Sequence, residues 1–323
     1  MHGVLIPLLL TLTAGSAARP DVLVVVGAPG ADEYGKQFGE WAERWQSAAD
    51  RAGASFCVIG REEDQEVDKT DDRQRLRQWL ADKTQTSSEP LWLVLIGHGT
   101  FDGQTARFNL RGPDFSAAEL AEWLRPIERP LAIVNCASAS GPFINALSGK
   151  NRIVVTATKS GFEHNFARFG DFFSAAIADA AADLDKDDQT SLLEAFLMAS
   201  AKTQEFYAED ARLATEHALL DDNGDSLGTP ADWFHGVRAI KLTKEGATAD
   251  GLRAAQLPFV RSPSERQLPA EARARRDELE QKIAALRGRK TSMAEEAYYG
   301  ELEKLLVELA QLYKAHDPAA AAE

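Results

Sequence analysis

The sequence predicts an α/β domain built on a mostly parallel sheet, and three observations carry that prediction. Short apolar runs at 21–26, 54–59, 91–96, 131–135 and 152–156 are bounded by Gly, Pro or polar residues. Runs of that length fit strands buried on both faces. The stretches between them carry apolar residues at helical spacing, and strand–helix alternation of this kind builds a doubly wound sheet. Finally, two of the runs end directly in residues capable of chemistry, His98 and Cys136. Ligands in such sheets bind outside the carboxyl ends of the strands.

Each element can be justified in order. The first strand, 21–26, leads into Gly27-Ala28-Pro29-Gly30, which lacks the glycine spacing and Gly-Lys-Ser/Thr of a phosphate loop. Residues 34–51 form an amphipathic helix with Phe38, Trp41 and Trp45 on one face, which assigns them to the core. The strand at 54–59 buries Cys57. The charged stretch 64–83 reads as a helix packed through Leu76, Trp79 and Leu80, and 84–90 as a polar connector. Strand 91–96 is followed by Gly97-His98-Gly99. Arg107 to Leu110 alternates, as in a short hairpin. Ser116 with Glu119 three residues on is a capping box, opening a helix that ends before Pro126. Strand 131–135 is followed by Cys136-Ala137-Ser138-Ala139-Ser140-Gly141, and 152–156 is a further strand.

If the strands leading to His98 and Cys136 are neighbours, their side chains meet. A thiolate is a strong nucleophile, and an imidazole takes its proton and returns one to a leaving amine. The developing oxyanion needs donors, for which the N–H groups of Gly99 and Cys136 are placed. The plainer alternative makes Cys136 a small buried apolar residue and His98 a structural group.

An apolar strand ending in His-Gly, then one ending in Cys and small residues, resembles the caspase–legumain group of cysteine peptidases. The match is nearer the legumain branch. Gly27 to Gly30 with Tyr34 to Gln37 looks like its Gly-rich loop, Thr156-Ala157-Thr158 like its Thr-Ala-Ala segment, and Phe169 to Ser174 like its Leu-Gly-Asp-Trp-Tyr-Ser motif. The resemblance spans about 22–179. It implies a caspase-like three-layer sandwich and a cysteine endopeptidase with Cys136 as nucleophile, His98 as acid/base and Gly99 as oxyanion donor. Asp171, Ser138 and Thr158 become candidate substrate contacts. There are departures. Gly97 stands where legumain has Asp, Ala137 where it has Glu, and Glu33 to Lys36 where it has Asn-Tyr-Arg-His. With the pocket's Arg and Glu missing, Asp171 would favour a basic P1 residue. The same departures fit a second reading, an inert peptidase-like binding or scaffold protein of the cell envelope.

The 323 residues allow one large domain plus an appendage. A formal net charge of -14 argues against nucleic acid as a partner, and two cysteines make no disulfide framework. Residues 1–18 read as a secretory signal, with an apolar core at Val4 to Leu12 and Ser16-Ala17-Ala18 as the cleavage site, implying a secreted or periplasmic protein. The alternative is a buried N-terminal segment. No integral membrane span is expected. Asp183, Asp185, Asp187 and Glu194 have the ligand spacing of a calcium loop, with Asp188 in place of its usual Gly. The other reading is a solvated acidic turn capping the next helix. Asp221 to Asp225 is a second acidic cluster. No cofactor is required, and calcium would be structural. The peptidase domain is expected over 21–245, then a Pro-punctuated linker at 246–269. A helical hairpin follows at 270–316, with Leu279, Ile283 and Leu286 facing a stripe of Leu302, Leu305, Leu306, Leu309 and Leu312. It would dock on the domain or mediate self-association, and 317–323 would be a disordered tail. A peptide or protein is the expected substrate.

Overall fold

The structure, a computed structural model, describes residues 19–61, 71–209, 211–244 and 248–316. The expected signal at 1–18, the tail at 317–323 and residues 64–70 of the charged stretch lie outside the described residues.

The chain runs β1 (Asp21–Val26), α1 (Asp32–Ala52), β2 (Ser55–Ile59), α2 (Asp72–Ala81), β3 (Leu91–Ile96), then three short strands β4 (Gly99–Phe101), β5 (Ala106–Phe108) and β6 (Phe115–Ser116). It continues through α3 (Ala117–Leu124), β7 (Leu131–Asn135), α4 (Pro142–Leu147), β8 (Arg152–Thr156), α5 (Phe169–Ala176) and α6 (Leu192–Glu209). The strands β9 (Leu219–Asp221), β10 (Thr229–Pro230), β11 (Phe234–His235) and β12 (Arg238–Ala239) follow, then α7 (Leu252–Ala255), α8 (Pro263–Gln267), α9 (Ala270–Gly288) and α10 (Glu295–Ala315).

The main sheet has the order β10-β9-β8-β7-β3-β1-β2. Strands β2, β1, β3, β7 and β8 are parallel, and β9 and β10 add an antiparallel edge. Its alternation divides the core in two. Val22, Val24, Trp92, Val94, Ala132 and Val134 face the layer of α1, α5 and α6 through Phe38, Trp41, Trp45, Phe173 and Phe196. Leu23, Val25, Leu93, Leu95, Leu131 and Ile133 face α2, α3 and α4 through Leu76, Leu80, Leu120, Leu124 and Phe143. Strands buried on both faces explain why polar residues in β1, β3, β7 and β8 stand only at the strand ends.

The helices start and stop where their sequences dictate. The buried positions of α1 recur every three or four residues, and Gly53, with φ of 65°, ends it in the left-handed conformation. Ser116 and Glu119 form the expected capping box on α3. Ser191 and Glu194 form another on α6, where Glu194 Oε2 accepts from the Ser191 N–H at 2.8 Å. Cys57 is only half-buried, because β2 is the edge strand of the sheet.

At the amino ends of the strands, Arg129 donates to Asp21 Oδ2 at 2.6 Å and to the carbonyls of Glu89 and Pro90. Glu89 accepts from Arg261 at 2.8 and 3.1 Å and from Arg273 at 3.4 Å. These contacts tie the Pro-punctuated segment and α9 to the sheet. That segment carries α7 and α8 and is more than a linker. Pairing of Arg275 with Glu308 and of Arg289 with Glu301 makes α9 and α10 antiparallel. Leu279, Ile283 and Leu286 are buried, whereas Leu302, Leu305, Leu309 and Leu312 are half-buried and Leu306 is exposed. Among the described residues no helix is long and apolar enough to cross a membrane.

Candidate active site

Leu95 of β3 pairs with Asn135 of β7, so the turns after the two strands lie side by side at the carboxyl edge of the sheet. Gly99 is required there by close approach, since a Cβ on it would stand 2.3 Å from the Ser138 carbonyl oxygen. The Gly27–Gly30 loop after β1 supplies the third wall. His98 Nε2 lies 3.0 Å from the Pro29 carbonyl oxygen. A carbonyl only accepts, so Nε2 carries the hydrogen and Nδ1 of the neutral ring keeps its lone pair. The ring is held among Tyr34, Phe38 and Phe166 at centroid distances of 5.1, 5.3 and 5.8 Å.

Cys136 opens the turn after β7, on the core face that also holds Phe38. Its N–H donates to the Leu95 carbonyl at 2.9 Å, the last rung of the β3–β7 ladder, so it is not available to an oxyanion. Its side chain is 1 % exposed in the α1/α5 core, and a Cβ on Gly170 would meet the Cys136 Cβ at 2.7 Å. Burial, with Glu216 as a lesser contributor, pushes the thiol well above its ordinary pKa. A thiol buried in apolar surroundings is harder to ionise and so a weaker nucleophile.

The residue brought against His98-Gly99 is Ser138. Its Oγ accepts from the Gly99 N–H at 3.2 Å and donates to the Gly99 carbonyl at 3.2 Å. The following Ala139 has φ of 53°, a left-handed turn that reverses the chain. Its N–H donates to the Glu163 carbonyl at 2.8 Å, and the Ala137 N–H to Asn135 Oδ1 at 3.1 Å. Thr158 is fully buried and braces this turn, accepting from the Gly141 N–H at 3.0 Å and lying 3.2 Å from Ser140 Oγ. Next to the turn, a cavity of about 280 Å³ opens between Gly141, Ile144, Lys159, Leu227 and Trp233.

Asp171 has a cationic neighbour after all. Arg44 on α1 pairs with its carboxylate at 2.5 Å, which removes the basis for expecting a basic P1 residue. The Asp183, Asp185 and Asp187 carboxylates converge, with ligand oxygens within 4.8 Å of one another, and could hold a metal. Burial, then the charges of Asp187, Glu194 and Asp183, push Asp185 up to about 6. Glu194 is drawn away from ligation by the α6 cap and by the N–H groups of Leu184 and Asp185.

Residue type drew attention to Cys136, and strand parity tells which core face its side chain enters. Residues 132, 134 and 136 share one face of a two-sided core, so position 136 is still inside the sheet. The first side chain free of the ladder and directed at the His98 strand is two residues on. No sequence signal marked Phe166 or the Pro29 carbonyl as partners of His98, because both contacts depend on tertiary placement.

No protein-family model matches the sequence, and no curated protein does. Among solved structures the chain is similar to the Drosophila initiator caspase Dronc, with a TM-score of 0.44 and 13% identity over 65% of this chain and 81% of that one. It is similar to caspase-1 from Spodoptera frugiperda, with a TM-score of 0.39 and 8% identity over 63% and 86% of the two chains. Chaetomium thermophilum Raptor matches with a TM-score of 0.34 and 10% identity over 49% of this chain and 18% of its own. At these scores the likeness carries no argument about this chain.

Proposed function

We propose that the protein is a peptide hydrolase of caspase type, with its site at the carboxyl ends of β3 and β7. His98 is the general acid/base and the Gly99 N–H an oxyanion donor. The observation that carries this reading is the His98–Pro29 hydrogen bond, which puts the hydrogen of the neutral ring on Nε2 and leaves Nδ1 as its acceptor. The sequence motifs shared with the caspase–legumain group support it. The cavity beside Gly141 is walled by Ile144, Leu227 and Trp233 with Lys159, a setting for an apolar side chain of the peptide. The burial of Cys136 supports a second reading, peptide binding without hydrolysis. Calcium at Asp183, Asp185 and Asp187 belongs to the proposal as a structural ion, and a secreted or periplasmic location rests on residues 1–18.

Turnover of a mixed fluorogenic peptide library tests the reading. The protein cleaves members of the library, and His98→Ala lowers the rate about 100-fold or more. Peptide binding without turnover would leave the second reading in place.

A further inference from the structure

We infer that Ser138, not a cysteine, is the nucleophile of this site, so that the reaction proceeds through an ester on a serine. The inference rests on the hydrolase reading above and names its missing partner. Cys136 is tied into the ladder and packed beneath Gly170. Ser138 lies beyond the ladder, with Oγ 3.2 Å from the nitrogen of the His98–Gly99 peptide bond.

Among the described residues the resting hydroxyl bonds only the backbone of Gly99, and both of its bonds are replaceable. When a substrate carbonyl enters, its oxygen takes over the Gly99 N–H, and the Oγ–H turns from the Gly99 carbonyl to His98 Nδ1. As Oγ bonds to the carbonyl carbon, its proton passes to Nδ1 and the carbonyl π pair moves onto oxygen. The N–H groups of Cys136, Ala137 and Ala139 are all committed, which leaves the N–H of Ser138 as the second donor to that oxyanion. The C–N bond then breaks, and the amine leaves with the proton held by His98. Water attacks the ester, gives a proton to Nδ1, and releases the acid while that proton returns to Oγ. No co-reactant beyond water is consumed.

Ser138 is 2 % exposed. The segment from Lys159 to Glu163 covers the turn, through the Ala139–Glu163 backbone bond and the fit of Gly141 against Ser160. Substrate enters when this segment moves off. His217, whose Nδ1 lies 2.6 Å from Glu163 Oε1, helps hold it in place.

The experiment is labelling with a peptidyl phosphonate diester that esterifies activated serines, followed by mapping of the adduct. The expected result is a single adduct on Ser138, absent in Ser138→Ala, at least 10-fold slower in His98→Ala and unchanged in Cys136→Ala. In parallel, Ser138→Cys is alkylated by a peptidyl chloromethyl ketone at position 138, at least 10-fold faster than Cys57 and dependent on His98. Two results overturn the inference alone. One is no adduct on Ser138 together with alkylation of Ser138→Cys no faster than that of Cys57. The other is peptide turnover that survives Ser138→Ala and fails in His98→Ala, which refutes the nucleophile and keeps the hydrolase reading. Absence of turnover in every form, the Cys variant included, removes both.

Discussion

Two ends of the same strands are fastened by different chemistry. At the amino ends of β1, β3 and β7, Asp21, Glu89 and Arg129 are buried to 8 %, 5 % and 6 % exposure, and ion pairs with Lys83, Arg261 and Arg273 surround them. At the carboxyl ends of β3 and β7, His98, Gly99 and Ser138 are joined by neutral hydrogen bonds to backbone groups. A buried charge loses its partner at great cost, whereas a hydroxyl exchanges one neutral partner for another at little cost. The first end is therefore held closed by charge, and the hydrogen bonds of the second are open to exchange.

The largest effect is expected from cutting the charged end. Glu89→Ala leaves the Arg261 and Arg273 guanidiniums facing each other without their shared carboxylate. We expect a loss of about 3–5 kcal/mol, read as a lower midpoint in urea, with α9 and α10 exchanging amide hydrogens faster than the sheet. Equal exchange in hairpin and sheet would mean that the network does not hold the appendage.

Next is the packing between the two ends. Gly170→Ala places a methyl 2.7 Å from the Cys136 Cβ and 2.8 Å from the Trp41 ring. Overpacking of this kind costs about 1–3 kcal/mol. If Cys136 is only a wall of this core, Cys136→Ala in the Gly170→Ala background recovers part of the loss. A purely additive double variant would show that the two residues do not share the space.

The same contrast explains what could be read from the sequence. Strands 91–96, 131–135 and 152–156, the α1 stripe and the Ser116 cap follow from local periodicity and local hydrogen bonds, and the structure has them at those places. That His98 and the turn after β7 share an edge followed from the placing of active groups at strand ends. The choice between Cys136 and Ser138 did not, because it turns on one rung of a ladder. Arg44 beside Asp171 is 127 positions away in the chain, and local sequence holds no trace of such a pair. Glu194 has the spacing of a metal ligand and of a helix cap alike, and only the fold decides between the two.

A smaller effect separates the acidic loops from both ends. Burial, with the neighbouring Asp222 and Asp221 charges, pushes Asp250 up to about 7 despite hydrogen bonds from Thr229 and the Asp222 N–H. Asp185 is pushed up to about 6. A carboxyl raised in the folded state keeps a proton that the unfolded chain releases, so its contribution is present below the unfolded pKa and lost as the pH rises through the folded one. For Asp21, burial alone would raise the pKa, but hydrogen bonds from Lys83 and Arg129 outweigh it and hold the carboxyl low. Its contribution is lost only as the pH falls below 3.8. Stability measured by urea unfolding should therefore decline from about pH 4.5 and level off above about pH 7. Asp250→Asn should flatten that slope, and calcium should raise the melting temperature more at pH 8 than at pH 5. A pH-independent calcium effect would separate the ion from Asp185.

The smallest expected change is also the one that tests the contrast most directly. Ser138→Ala removes two hydrogen bonds from a 2 % exposed position, yet both partners are neutral backbone groups of one residue, Gly99. If that end is built for exchange, the loss of stability stays near 1 kcal/mol, although the same substitution abolishes labelling at the site. A loss of about 3 kcal/mol or more, as large as that at Glu89, would mean that the hydroxyl serves as a structural clamp. The carboxyl edge would then be as permanently closed as the amino edge, and the hydroxyl would have no freedom to turn toward His98.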